Sequence, residues 1–192
     1  MPATQLSSTS QHVLADVLTG CNLAAGTAAI LLPGDGRPLR RSALILFGAL
    51  CDSFDGPLAR RSGNPTVFGA AADSISDLIS CGVAPAALLA RCGPSRRTRL
   101  SRIAPGFYMV AAAWRLARYG IGPRTSHVFR GLPVTGAGVL FAAGCQARLP
   151  ARALGYLAVA LGIAMVSPIR VLSGEALVRR DLETLDIAVA GS

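Results

Sequence analysis

Six apolar stretches, parted by short runs of turn-forming residues, leave this chain few folds to adopt. They run from about Val13 to Leu32, Ser42 to Leu58, Val67 to Ala90, Ile103 to Leu116, Leu132 to Cys145 and Ala153 to Val171. The breaks carry helix-ending chemistry: Pro33-Gly34-Asp35-Gly36, Ser62-Gly63-Asn64-Pro65, Cys92-Gly93-Pro94-Ser95 and Gly120-Ile121-Gly122-Pro123. A helix needs about 20 apolar residues to cross a hydrocarbon core, and 192 residues hold six such helices with short loops. Composition agrees. Charged residues make up 15% of the chain, against about 25% in an ordinary soluble domain. Mean hydropathy is +0.49. Disorder, a secreted disulfide scaffold and an ordinary soluble enzyme are all disfavoured. The expected fold is all-α: an integral membrane protein of six transmembrane helices over residues 1–172. A polar tail over 173–192 follows, carrying Glu175, Asp181, Glu183 and Asp186.

The net charge is +9, and all 19 basic residues are Arg. Aromatics are only 5%, with no Arg/aromatic interleaving of the kind that stacks bases. A basic, apolar, aromatic-poor chain fits anionic lipid rather than nucleic acid. The five cysteines, Cys21, Cys51, Cys81, Cys92 and Cys145, form no C-x-x-C pair and read as small apolar helix residues. Met1 to Gln11 lacks a basic region followed by an apolar core, so no cleavable signal peptide is expected. Arg residues divide almost evenly between the two sides of a six-helix bundle, so the positive-inside rule does not orient it. The cluster Arg91, Arg96, Arg97, Arg99 and Arg102 reads as a solvated loop on anionic lipid.

Carboxylates carry the chemistry. Asp52, Asp55, Asp73 and Asp77 sit at the ends of apolar helices or inside them, where a charge is costly and marks function. Asp52 and Asp55 are three apart, and Asp73 and Asp77 are four apart, so each pair shares a helix face. The two helices flank a short turn, which makes them antiparallel neighbours and lets four carboxylates converge. Such a group repels itself unless protons or cations intervene. Hard divalent cations, Mg²⁺ or Mn²⁺, take oxygen ligands and bridge carboxylates to phosphates. Gly56 and Ala59 leave room for a bulky ligand beside the carboxylates. Arg60 can meet a diphosphate bidentately. Gly69 lies one turn before Asp73 and permits close helix approach.

Written out, the stretch is D-x-x-D-G-x-x-A-R, eight residues, then G-x-x-x-D-x-x-x-D. It resembles the signature of the CDP-alcohol phosphotransferase family at every fixed position. The resemblance extends from about Asp16 to Arg170. Asp73-Ser-Ile-Ser-Asp77-Leu-Ile-Ser80-Cys81-Gly82-Val83-Ala84-Pro85-Ala86 is similar to the corresponding run of the phosphatidylserine synthase branch, although Cys81 stands where those relatives usually carry Phe. Thr19, Asn22 and Gly26 match a T-x-x-N-x-x-x-G in the first helix of that branch. Arg115-Leu-Ala-Arg118-Tyr119, Gly131-Leu-Pro133 and Met165-Val-Ser167 resemble later segments. Leu78 stands where the inositol-phosphate branch usually has Arg.

The resemblance implies transfer of the phosphatidyl group of CDP-diacylglycerol to the hydroxyl of L-serine, with release of CMP. It implies two divalent metals on Asp52, Asp55, Asp73 and Asp77, with Asp77 as general base. It also implies that Asn22, Gly56, Ala59, Arg60, Thr66 and Gly69 hold the CDP and diphosphate. Ser80, Arg115, Arg118 and Arg130 are the candidates for the serine pocket. Family likeness further implies a homodimer in the cell membrane with its site on the cytoplasmic face. A sister enzyme acting on inositol phosphate, glycerol phosphate or another small alcohol shares every one of these features except the acceptor. The rival of a different class is a divalent-cation carrier. Its ionisable residues should line a mid-membrane path, often between repeated broken helices, and no internal repeat is visible here.

Overall fold

The computed structural model describes residues 8–33, 38–61, 67–92, 99–121, 128–168 and 170–172. The elements are α1 (Ser8–Leu31), α2 (Pro38–Arg61), α3 (Val67–Asp77), a π turn (Leu78–Val83), α4 (Ala84–Cys92), α5 (Arg99–Ile121), β1 (Val128–Arg130), α6 (Val134–Gln146), α7 (Ala151–Val166) and β2 (Arg170–Leu172). Because α3, the π turn and α4 run on as one rod, the described helices form six rods, one for each apolar stretch. Two spans, Val13–Leu31 and Phe68–Arg91, are long and apolar enough to cross a membrane by length and composition. Helices α6 and α7 are shorter apolar segments. The polar tail expected over 173–192 lies outside the described residues, as do the connections at 34–37, 62–66 and 93–98.

The described fold is all-α, as expected, apart from one short two-stranded ladder. β1 and β2 pair antiparallel, with Val128 opposite Leu172, Phe129 opposite Val171 and Arg130 opposite Arg170. β2 takes up the end of what the apolar pattern extends as helix to Val171. Pro168 ends that helix: it has no N–H to continue the ladder and pushes the preceding residue out of the helical region, and Ser167 sits at φ −58°, ψ 142°.

Two arginines redraw the far ends of the helices. Arg41 is only 1% exposed, and its Nη2 donates to the Leu32 carbonyl (2.7 Å). Arg91 donates through Nη1 to the Ile30 carbonyl (2.7 Å). Cations satisfying the last carbonyls of a helix also meet the negative end of its dipole. Arg91, expected in a solvated lipid-facing loop, therefore caps α1. Helix α2 starts at Pro38, ahead of its apolar stretch, and this places Arg41 at that end.

Small residues are numerous in the interior, and many large apolar ones face outward. The buried core includes Ala25, Ala29, Ala49, Ala84, Ala104, Ala112, Ala137, Ala142 and Ala158 around Ile45, Leu88, Tyr108, Phe141 and Met165. Phe47, Leu50, Phe54, Phe68, Val110, Trp114, Tyr156 and Ile163 face outward. Large apolar side chains on the outside and close-packed small ones inside suit helices in lipid, where burying apolar surface brings no gain and close packing does. At the centre, α1, α2, α5 and α6 all pack on the π turn. Cys21, Cys51, Cys81 and Cys145 form no disulfide, in keeping with small apolar packing residues.

The Gly131-Leu132-Pro133 segment seats α6 on α7. Gly131 has φ +80°, and a Cβ there would lie 2.6 Å from the Met165 carbonyl oxygen. Leu132 N–H donates to the Ala164 carbonyl (3.1 Å). Gly131→Ala combines a left-handed backbone with a carbonyl clash and is expected to cost about 1–3 kcal/mol. Thermal unfolding in detergent measures it, and an unchanged midpoint would contradict this account.

Candidate active site

Three of the four signature carboxylates, Asp52, Asp73 and Asp77, have described side chains. Asp52 lies on α2 and Asp73 on α3; Asp77 is the last residue of α3, at the lip of the π turn. π segments are rare and often sit at functional sites, because the extra residue per turn re-aims side chains. Here the Ala84 N–H reaches back to the Ile79 carbonyl, and the Tyr108 hydroxyl donates to the Cys81 carbonyl (2.9 Å). Tyr108 thus helps hold the turn that follows Asp77.

Asp77 is the meeting point. Asp52 and Asp73 are its charged neighbours. Asn22 Nδ2 donates to Asp77 Oδ1 (3.5 Å). Thr135 Oγ1 donates to Asp52 Oδ2 (2.9 Å) and stands 3.4 Å from Asp77 Oδ2. Asn22 is fully buried, and its Oδ1 has no hydrogen-bond partner among the described residues. That oxygen lies against Gly48, where a Cβ would approach to 2.7 Å.

The first-helix residues singled out by sequence all face α3 and the π turn. The Thr19 carbonyl accepts the Ser76 hydroxyl (3.3 Å), Asn22 meets Asp77, and Gly26 lies against Ser80. Positions 19, 22 and 26 share one helix face. Ser80 is fully buried, and its hydroxyl donates to Cys81 Sγ (3.5 Å). Its place is in a helix contact. Arg115 is 8% exposed, on the helix whose Tyr108 holds the π turn, whereas Arg118 is exposed. Gly69 is half-buried on α3. Asp55, Gly56, Ala59 and Arg60 lie on the last turns of α2 and Arg130 lies on β1, but their side chains fall outside the described set, and Thr66 falls outside it altogether.

Sequence reasoning missed Thr135. The available signal was a lone hydroxyl opening an apolar helix directly after Gly131-Leu-Pro133.

A family model for CDP-alcohol phosphatidyltransferases matches residues 12–178. The chain belongs to the CDP-alcohol phosphatidyltransferase family. Among its relatives is the CDP-diacylglycerol–serine O-phosphatidyltransferase of Methanocaldococcus jannaschii, 36% identical over 157 residues, covering 82% of this chain and 72% of the relative. The archaetidylserine synthase of Methanothermobacter thermautotrophicus is 32% identical over 84% of this chain and 70% of its own length. A CDP-diacylglycerol–serine O-phosphatidyltransferase of Helicobacter pylori is 27% identical over 83% and 71%. These relatives are transferases, and CDP-alcohol phosphatidyltransferases use divalent metals.

The donor chemistry of the site fits such a metal. The ligands on offer are carboxylate oxygens, the set a hard divalent cation prefers. Among the described residues, no three His, Cys, Asp or Glu side chains close to ligating distance. The side chain of the fourth signature carboxylate, Asp55, lies outside those residues.

Proposed function

We propose that this chain is a multi-pass membrane enzyme that moves the phosphatidyl group of CDP-diacylglycerol onto the hydroxyl of L-serine, giving phosphatidylserine and CMP. The observation that carries the reading is the surroundings of Asp77: a carboxylate at the lip of a π turn, flanked by Asp52 and Asp73 and contacted by Asn22 and Thr135. The names of the relatives support serine as acceptor. Asp52, Asp55, Asp73 and Asp77 would hold two divalent cations, Mg²⁺ or Mn²⁺, which would neutralise the diphosphate.

Each residue then has a task. Asp77 accepts the proton of the serine hydroxyl as its oxygen bonds to the phosphatidyl phosphorus. The bond from that phosphorus to CMP breaks, and CMP leaves with the electron pair. Asn22 orients Asp77. Arg60, with Gly56, Ala59, Thr66 and Gly69, holds the CDP diphosphate. Arg115 meets the serine carboxylate, assisted by Arg118 or Arg130, from a buried position on the face of α5 that packs toward the π turn. The six rods cross the cell membrane, two copies associate, and the site opens to the cytoplasm.

CMP release by purified protein in detergent tests the proposal, with CDP-diacylglycerol, Mn²⁺, and serine, inositol phosphate or glycerol phosphate in parallel. Serine-dependent release is the expected result. Release only with another alcohol would move the chain to a sister branch. No release with any acceptor from folded protein would overturn the enzyme reading in favour of a cation carrier.

A further inference from the structure

We propose that Thr135 is a positioning residue whose hydroxyl ties α6 to Asp52 and Asp77 and fixes the separation of those two carboxylates. This rests on the function proposed above.

One oxygen atom touches both groups: Oγ1 is 2.9 Å from Asp52 Oδ2 and 3.4 Å from Asp77 Oδ2. Its single proton serves the nearer carboxylate. The contacts span 83 and 58 residues of sequence, so they join three separate rods at one point. Other described helical hydroxyls behave differently: Ser76 crosses to a backbone carbonyl, that of Thr19, and not to a carboxylate. Thr19, Thr27, Ser53 and Ser74 each return to the carbonyl four residues back on their own helix. That is the default local partner for such a side chain. Thr135 is the described helical hydroxyl that instead reaches two carboxylates.

The tie is anchored at its other end. Thr135 is the second residue of α6, so the positive end of the helix dipole faces the carboxylates. The start of α6 is pinned to α7 by Gly131, whose φ is +80°, and by the Leu132 N–H on the Ala164 carbonyl. A β-branched side chain on a fixed backbone has few rotamers. Groups that orient metal-binding carboxylates typically matter by about 10–100-fold in metal affinity or activity.

The experiment compares Thr135→Val, Thr135→Ala and Thr135→Ser with wild type, measuring kcat and KM for CDP-diacylglycerol and serine. Mn²⁺ affinity is read separately by paramagnetic resonance on the same detergent preparations. Both hydroxyl deletions are expected to lower kcat by about 10–100-fold and weaken Mn²⁺ binding by about tenfold. KM for both substrates should stay within about twofold, and Thr135→Ser should recover most of the lost rate. Two hydroxyl deletions are included so that one folded variant suffices. Deletions matching wild type in rate and Mn²⁺ affinity would overturn the proposal but leave the function standing. Ser falling together with Val and Ala would reduce Thr135 to a packing residue and also overturn it. If wild type releases no CMP with any acceptor, the function fails, and the Mn²⁺ measurement alone decides Thr135: a tenfold loss upholds the tie and no change ends it.

Discussion

Asp77→Asn is expected to lower serine-dependent CMP release by about 10³-fold, within the range that a general base contributes. The substitution keeps the shape of the side chain and one of its two acceptor oxygens. Asn22 can still donate to that oxygen, as it does at 3.5 Å in the native chain. What is lost is the group that takes the serine proton. The fold should survive, because Asn has the shape of Asp, keeps the Asn22 contact and brings no new charge into a buried site. In metal-free buffer the variant should therefore unfold no earlier than wild type, and added Mn²⁺ should stabilise it less. Chelation by EDTA should silence wild type as thoroughly, but added Mn²⁺ should restore wild type and not Asp77→Asn. A variant that keeps more than about a tenth of wild-type turnover would remove Asp77 from the base role.

The shared face of Asp73 and Asp77 was legible because helix periodicity alone decides it. Asp73 and Asp77 stand on one uninterrupted helix, so a spacing of four in the sequence is a spacing of one turn in space. The six rods were legible for the same reason: hydropathy and Gly/Pro punctuation are local properties. Thr135 was not, since its partners lie 83 and 58 residues away and no local pattern records such a contact. The capping roles of Arg41 and Arg91 were hidden for a different reason. Sequence sees two charges next to loops, and only the fold brings the Leu32 and Ile30 carbonyls within 2.7 Å of them. The β1–β2 pair joins residues about forty apart through backbone groups that every residue possesses. The π turn is a matter of hydrogen-bond register, which depends on how α1, α2, α5 and α6 pack around it.

Gly26→Ala should damage the enzyme far more than Gly20→Ala, although both add one methyl group to the same helix. At Gly26 a Cβ would stand 2.6 Å from Ser80 Cα and 2.9 Å from Ser80 N. Those are backbone atoms of the π turn, buried between four helices, and no side-chain rotation can move them aside. Helix α1 must therefore shift, and overpacking of this kind costs about 1–3 kcal/mol. The functional loss should be larger than the stability loss suggests. Asn22, one turn away on the same face, reaches Asp77 Oδ1 at 3.5 Å, already the outer limit of a hydrogen bond. Any further retreat of α1 breaks it and frees the carboxylate that must face the serine hydroxyl. A displacement of about 1 Å at a reacting group can cost about 10²-fold in rate. At Gly20 nothing lies within 4 Å of the added atom, and Ala is the better helix former by about 0.5–1 kcal/mol. Gly20→Ala should thus unfold at or slightly above the wild-type temperature with unchanged turnover, and Gly26→Ala should lose about 10²-fold. Equal behaviour of the two variants would show that the approach of α1 to the π turn does not position Asp77.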